Sequence, residues 1–308
     1  MKYSTRKKLF GFCLVLPWII GFVVFLLYPL SQTILYSFSN VTITPQGTET
    51  APVGFKNYTD VLFTDPDFTL GIPTFLRQMV FMVPMIVVFS LLFALLLNSH
   101  IRGQRIYRAI FFLPVILISG PVLERIRQVG ATNLPGVDSF FVFQFIYNQV
   151  PPVLSSPIQY IISNIVLIFW FSGVQVLIFL SGLQKVDNSL YEASMVDCAS
   201  AWQRFWKITI PVVKPFILLI AVYTVVDIAL SSLSPFTKVI QDGMFAPSKG
   251  FGFSSAASWL YFLFVLAALL LAFLVFGRKE KDPMRQKDKE RRRAARRAEK
   301  RHRQAQRE

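Results

Sequence analysis

The chain has little of what a soluble catalytic domain is built from. It holds two cysteines in 308 residues, Cys13 in an apolar run and Cys198 in a polar one. They form no CxxC pair, and their placement suits neither a metal site nor a disulfide. The two histidines, His100 and His302, are equally remote from one another. There is no HExxH, no GxxxxGK[ST] phosphate loop and no credible Ser-His-Asp set. The chain is therefore read as a non-enzyme that holds no metal or cofactor and lacks the usual apparatus for hydrolysing ATP.

Charge is missing over long stretches too. Leu9–Thr48, Gln78–Ile101, Ser139–Gln184 and Gly250–Gly277 contain no Lys, Arg, Asp or Glu. A membrane-crossing helix needs about 20 predominantly apolar residues, and each of these runs exceeds that. The composition, 54% hydrophobic and 15% aromatic, lies above the roughly 45–50% apolar content of soluble domains. The fold class these runs predict is all-α, a polytopic membrane protein.

What charge is present is mostly basic, with a net +15. Residues 278–308 hold fifteen Lys/Arg against six Asp/Glu, so this tail alone carries +9. No aromatic or base-reading element accompanies the charges, which argues against nucleic acid as a partner. The tail reads as a solvated anchor that fixes topology, or as a surface for anionic lipid at about 1 kcal/mol per basic residue.

In chain order, a basic N-terminus (1–8) precedes a first span at Leu9–Leu35, too long for the h-region of a signal peptide. Residues 40–71 turn polar, with Lys56 against Glu49, Asp60, Asp65 and Asp67, as suits an external loop. A second span covers Ile72–Leu97. Arg102, Arg105 and Arg108 then mark a cytoplasmic turn. A short third span falls at Ala109–Leu123, and a second external region at 124–156 includes an interfacial Phe140–Tyr147. Span four is Pro157–Leu183, span five Phe216–Pro235 and span six Gly252–Phe276. Both ends are basic, so both belong in the cytoplasm, and that requires an even number of spans. The division is thus 1–8, a six-span domain at 9–277, and a cytoplasmic tail at 278–308.

Between spans four and five lies Gln184–Pro215, patterned as a soluble helix–turn–helix. Asp187, Asn188 or Ser189 can cap a first helix, with Glu192 in its first turn and its end near Ala199. Ser200 can cap a second helix carrying Trp202, Phe205 and Trp206, which Pro211 stops. Inside the spans, Asn164, Gln175 and Asp227 are polar groups at membrane depth. They either face a solute path or make helix–helix hydrogen bonds.

The hairpin carries a resemblance. Glu192-Ala193-Ser194, then Asp197, Cys198 and Ala199, and nine residues past Cys198 the run Ile208-Thr209-Ile210-Pro211, resemble the EAA loop. That loop marks the membrane subunits of bacterial binding-protein-dependent ABC importers. LPWIIGFVVFLLYPL, VGFKNYTDVLF, LLLNSHIRGQRIYRAIFFLPVI and FGFSSAASWLYF are similar to other stretches of these permeases, in their carbohydrate-uptake group. Two residues of the loop depart from the family pattern, Ser194 for Ala and Cys198 for Gly. If the family's glycine makes a left-handed turn, Cys198 costs on the order of 1–2 kcal/mol there; otherwise the first helix continues and turns later. The glycine-rich turn before span six is also missing.

The resemblance implies a permease subunit in the bacterial cytoplasmic membrane, with Glu192, Ala193, Ser194, Asp197, Cys198, Ala199 and Pro211 docking an ATPase. Implied partners are a second permease, two ABC ATPases that hydrolyse the ATP, an extracytoplasmic solute-binding protein, and membrane lipid. An ion-coupled secondary transporter is the alternative. It calls for carboxylates in several spans, and only Asp227 lies in one.

Overall fold

The structure, a computed structural model, describes residues 3–45, 47–99, 106, 125 and 151–277. The expected third span, the interfacial Phe140–Tyr147 and the basic tail lie outside the described residues. Helix α1 (Tyr3–Phe22) runs through a π-helical turn, Val23–Leu27, into α2 (Tyr28–Ser37). A two-stranded antiparallel hairpin follows, β1 (Ser39–Thr44) and β2 (Gly47–Pro52), in the register Ser39 opposite Pro52 to Thr44 opposite Gly47. After the short α3 (Lys56–Thr59) and a π-turn (Asp60–Thr64), α4 (Pro66–Arg77) passes through Gln78–Met82 into α5 (Val83–Asn98).

The chain resumes with α6 (Pro152–Ser163), α7 (Ile165–Phe171) and α8 (Gly173–Leu183). Next come α9 (Asn188–Val196), α10 (Ala201–Arg204), the π-turn Phe205–Thr209 and α11 (Ile210–Leu230). The last helices are α12 (Pro235–Phe245) and α13 (Gly250–Phe276). Among the described residues, four helical stretches are long and apolar enough to cross a membrane: Phe10–Ser37, Pro66–Asn98, Ala201–Phe245 and Gly250–Phe276. The pair α7–α8, bent by 53°, makes a fifth if it is one span.

Prolines inside these helices explain their irregular turns. Pro29, Pro84 and Pro211 each stand at the second residue after a five-residue π-turn. A proline ring collides with the carbonyl four residues earlier and offers no N–H of its own. Here that carbonyl belongs to Phe25, Val80 or Lys207, the middle residue of each wide turn. Widening the turn moves the carbonyl aside while the backbone stays helical. Pro211 therefore does not stop the second loop helix. α10 passes through the π-turn into α11 without a break, a correction to the expected boundary.

Span four differs as well. Instead of one continuous helix over Pro157–Leu183, the chain breaks at Asn164, whose φ/ψ of −102°/14° leaves the helical region, and bends again at Ser172. The 40–71 stretch is more ordered than a polar loop. Its β-branched alternation, VTIT, followed in sequence by Pro45 and Gly47, carries the strand and turn signals that account for the hairpin.

Among the described residues the core has two centres. In one, Ile86 and Ala94 of α5, Val176 and Phe179 of α8, and Val213 and Ile220 of α11 are almost fully buried together. In the other, near the β-hairpin, Phe68, Phe75 and Phe236 gather against Ala256 and Ala257 of α13. The rings of Phe68 and Phe236 lie 4.7 Å apart, and those of Phe236 and Tyr261 4.8 Å. α1 contributes to neither centre, and Trp18 and Phe25 are each 81% exposed. That apolar surface suits lipid or another subunit.

The hairpin is locked to α13 by a close approach. Gly250 takes a left-handed φ of +73°, a conformation a β-carbon disfavours. Gly252 sits so near β1 that a Cβ there would lie 2.1 Å from the Ser39 carbonyl oxygen. Asn57 donates to the carbonyls of Ser37 (3.0 Å) and Ser39 (2.9 Å), and the Tyr58 hydroxyl donates to Ser37 Oγ at 2.8 Å. Lys249 pairs with the buried Asp65 alongside. Gly252→Ala forces backbone apart and is expected to cost at least about 1–3 kcal/mol, read as a lower Tm in detergent. Gly11→Ala, where a Cβ meets nothing within 4 Å, should leave Tm unchanged or slightly raised.

Candidate functional site

The connection between α8 and α11 is built by caps. Asp187 accepts from the Ser189 N–H at 3.0 Å and opens α9. That backbone hydrogen bond, helped by the Ser189 side chain, holds the Asp187 carboxyl below its ordinary range. Asn188 is the first helical residue, so Glu192 falls in the second turn rather than the first.

α9 ends three residues earlier than expected, at Val196, because Cys198 turns left-handed with φ +54°. It is the one positive-φ residue other than glycine among the described residues. The Cys198 N–H donates to Met195 O at 3.0 Å, and the Ala199 N–H reaches Ser194 O at 2.9 Å. These paired bonds are a Schellman motif, which satisfies carbonyls that the helix end would otherwise leave open. Of the two options for Cys198, the chain takes the left-handed one. Ser200 then caps α10 in a full capping box: the Gln203 N–H donates to Ser200 Oγ, and the Ser200 N–H donates to Gln203 Oε1.

The result is a tight hairpin that shows an apolar surface outward. Leu190 and Met195 are about half exposed and Val196 84% exposed, with Glu192, Ala193 and Asp197 exposed beside them. Trp202, Phe205 and Trp206 form a contiguous aromatic group with centroids 5.2–6.1 Å apart. No residue of α9 is buried. At the base, the Phe216 ring lies where a side chain on Gly182 would be, 2.9 Å from an added Cβ, and Lys185 stands over its face at 5.2 Å.

Within the helices the structure brings two of the three polar candidates together. Gln175, fully buried, donates to Thr224 Oγ1 at 3.2 Å, and Asp227, one turn further along α11, lies beside its side chain. Asn164 stands apart at the helix break, its Nδ2 donating to Tyr160 O at 2.7 Å. The break and bend of span four remove the shared face that eleven residues of straight helix would give Asn164 and Gln175. Thr224 was not singled out from the sequence; its signal is the position three residues before Asp227, on the same face.

No protein-family model matches the chain. The fold is shared with the crystal structure of a bacterial ABC transporter that imports the acidic polysaccharide alginate, at a TM-score of 0.61 and 19% identity over 90% of this chain and 98% of that one. The architecture is thus that of an ABC-importer permease. In sequence, the chain is 29% identical to the probable ABC transporter permease protein YesP of Bacillus subtilis, over 88% of this chain and 91% of that protein. It is 29% identical to the multiple sugar-binding transport system permease protein MsmF of Streptococcus mutans, covering 70% of this chain and 72% of that one. It is 28% identical to the trehalose/maltose transport system permease protein MalF of Thermococcus litoralis, covering 73% and 75%. These relatives are named as ABC transporter or sugar-transport permeases, and similarity to them over 70–88% of this chain supports a permease subunit of an ABC importer as its nature.

A cysteine in the left-handed region bears a strain that glycine does not. Cys198→Gly is expected to stabilise the folded hairpin by about 1 kcal/mol, seen as slower amide exchange over 188–200. Cys198→Val, β-branched, should speed that exchange.

Proposed function

We propose that the hairpin from Asn188 to Thr209 is the coupling element of this permease, docking into a cytoplasmic ABC ATPase. The observation that carries the reading is the outward apolar surface of Leu190, Met195 and Val196, held rigid by caps at both ends yet covered by nothing else among the described residues. A surface of this kind on an ordered element marks an interaction site. Glu192, Ala193, Ser194, Asp197, Cys198 and Ala199 belong to that element, with Pro211 starting the span that follows it.

The rest of the assembly follows from the same reading. Six spans over 9–277 put the hairpin, both termini and the tail of 278–308 in the cytoplasm, and the β-hairpin end outside the bacterial inner membrane. There it meets an extracytoplasmic solute-binding protein. A second permease subunit covers apolar faces such as that of α1, and lipid the remainder. Two ATPases hydrolyse the ATP, and the chain itself holds no cofactor. The solute is a sugar or related compound, as the names of the relatives suggest. Asn164 and Asp227, both part-exposed, line its path, while the buried Gln175 ties span four to Thr224 of span five. Closure of the ATPases shifts the population between inward-open and outward-open arrangements through the contacts made at the hairpin.

Charge reversal at Glu192 tests the docking without touching a buried group. Glu192→Lys is expected to reduce ATPase co-purification and uptake by about tenfold, a loss of ~1.4 kcal/mol, with an unchanged Tm of the isolated chain. Full association and full uptake would remove this residue from the interface.

A further inference from the structure

Tyr191 and Thr209 lie on opposite arms of the hairpin, 18 residues apart, yet their hydroxyl oxygens meet at 2.8 Å. Tyr191 is half-buried on the inner side of α9, while Thr209 is 4% exposed at the last position of the π-turn that leads into α11. Serine and threonine hydroxyls in helices commonly bond back to a carbonyl three or four residues earlier. Ser90, Ser172, Ser181, Ser194 and Thr224 all do so here. Thr209 instead reaches across to the other arm.

That bond matters because, among the described residues, little else holds α9 in place. The helix has no buried residue, so apolar packing does not fix it against the spans. Past Thr209 the backbone is an unbroken helix from Ile210 to Leu230. It reaches Asp227 after 18 residues, roughly 27 Å at 1.5 Å per residue. A displacement of α9 that is passed to Thr209 therefore moves the same rigid element that carries Thr224 and Asp227 against Gln175.

We propose that the Tyr191–Thr209 hydrogen bond is the strut through which movement of the docking helix reaches span five, which makes the two hydroxyls positioning groups for coupled transport. The inference rests on the reading of the hairpin as the ATPase-docking element. The strut has two discrete states, bonded and broken, and docking acts on transport only while it is bonded. Tyr191 stays on the inner face and Glu192 on the outer one, so removing the hydroxyl leaves the docking surface intact.

The test measures solute moved per ATP hydrolysed by the purified complex in vesicles, together with the amount of ATPase that co-purifies. Tyr191→Phe and Thr209→Val are each expected to leave co-purification at the wild-type level and to lower transport per ATP by about fivefold. The double variant should be no worse than either single one, since both remove the same bond. Thr209→Ser, which keeps the hydroxyl, should retain wild-type coupling. Wild-type transport per ATP in both single variants would overturn the strut while leaving the docking reading in place, and so would full additivity in the double variant. Absence of any ATPase from the wild-type preparation would instead overturn the docking reading, and the strut with it.

Discussion

The structure depends on one constraint: the interior of a membrane offers the backbone no hydrogen-bonding partner, so each N–H and C=O must be satisfied within the protein. Prolines challenge that rule, and this chain has several in its long helices. It meets the challenge the same way at Pro29, Pro84 and Pro211, with a wide turn just before the ring. The helices therefore stay continuous and can act as rigid levers. Where the backbone does leave the helix, at Asn164, Tyr160 O accepts from both the backbone N–H and the side-chain Nδ2 of that residue.

The same accounting shapes the loop between spans four and five. A helix that ends in water can leave its carbonyls to solvent, but α9 ends in a Schellman motif and α10 begins in a capping box within two residues of it. Such dense capping fixes the hairpin's shape independently of whatever covers it. Rigidity of that kind lowers the ordering cost of docking. It also lets a small movement at α9 pass into α11 rather than dissipate in the turn.

Much of this architecture was legible in the sequence because the membrane writes it plainly. Long uncharged runs marked three of the four helices long enough to cross a membrane and the bent pair α7–α8, and Asp187 and Ser200 announced the caps. Less legible were features that depend on tertiary contact. Pro211 reads as a stop signal in isolation; only the preceding π-turn lets the helix pass through it. The bend of span four at Ser172 leaves little local trace, so Asn164 and Gln175 looked like neighbours on one face. The NY of VGFKNYTDVLF was a weak motif in one dimension, but Asn57 and Tyr58 prove to be the bonds that seat the β-hairpin beside Gly252. Resemblance to a family supplied the docking reading of the hairpin, which residue patterns alone gave only as a soluble helix–turn–helix.

The most direct measurement of the central claim is hydrogen–deuterium exchange over residues 188–209, compared between the isolated chain and the complex purified from its native membrane in mild detergent. The account predicts slowed exchange from Leu190 to Cys198 in the complex, with an ABC ATPase present in the preparation. Equal exchange over that stretch in a complex that contains the ATPase would contradict it, because the ATPase would then be docked somewhere else.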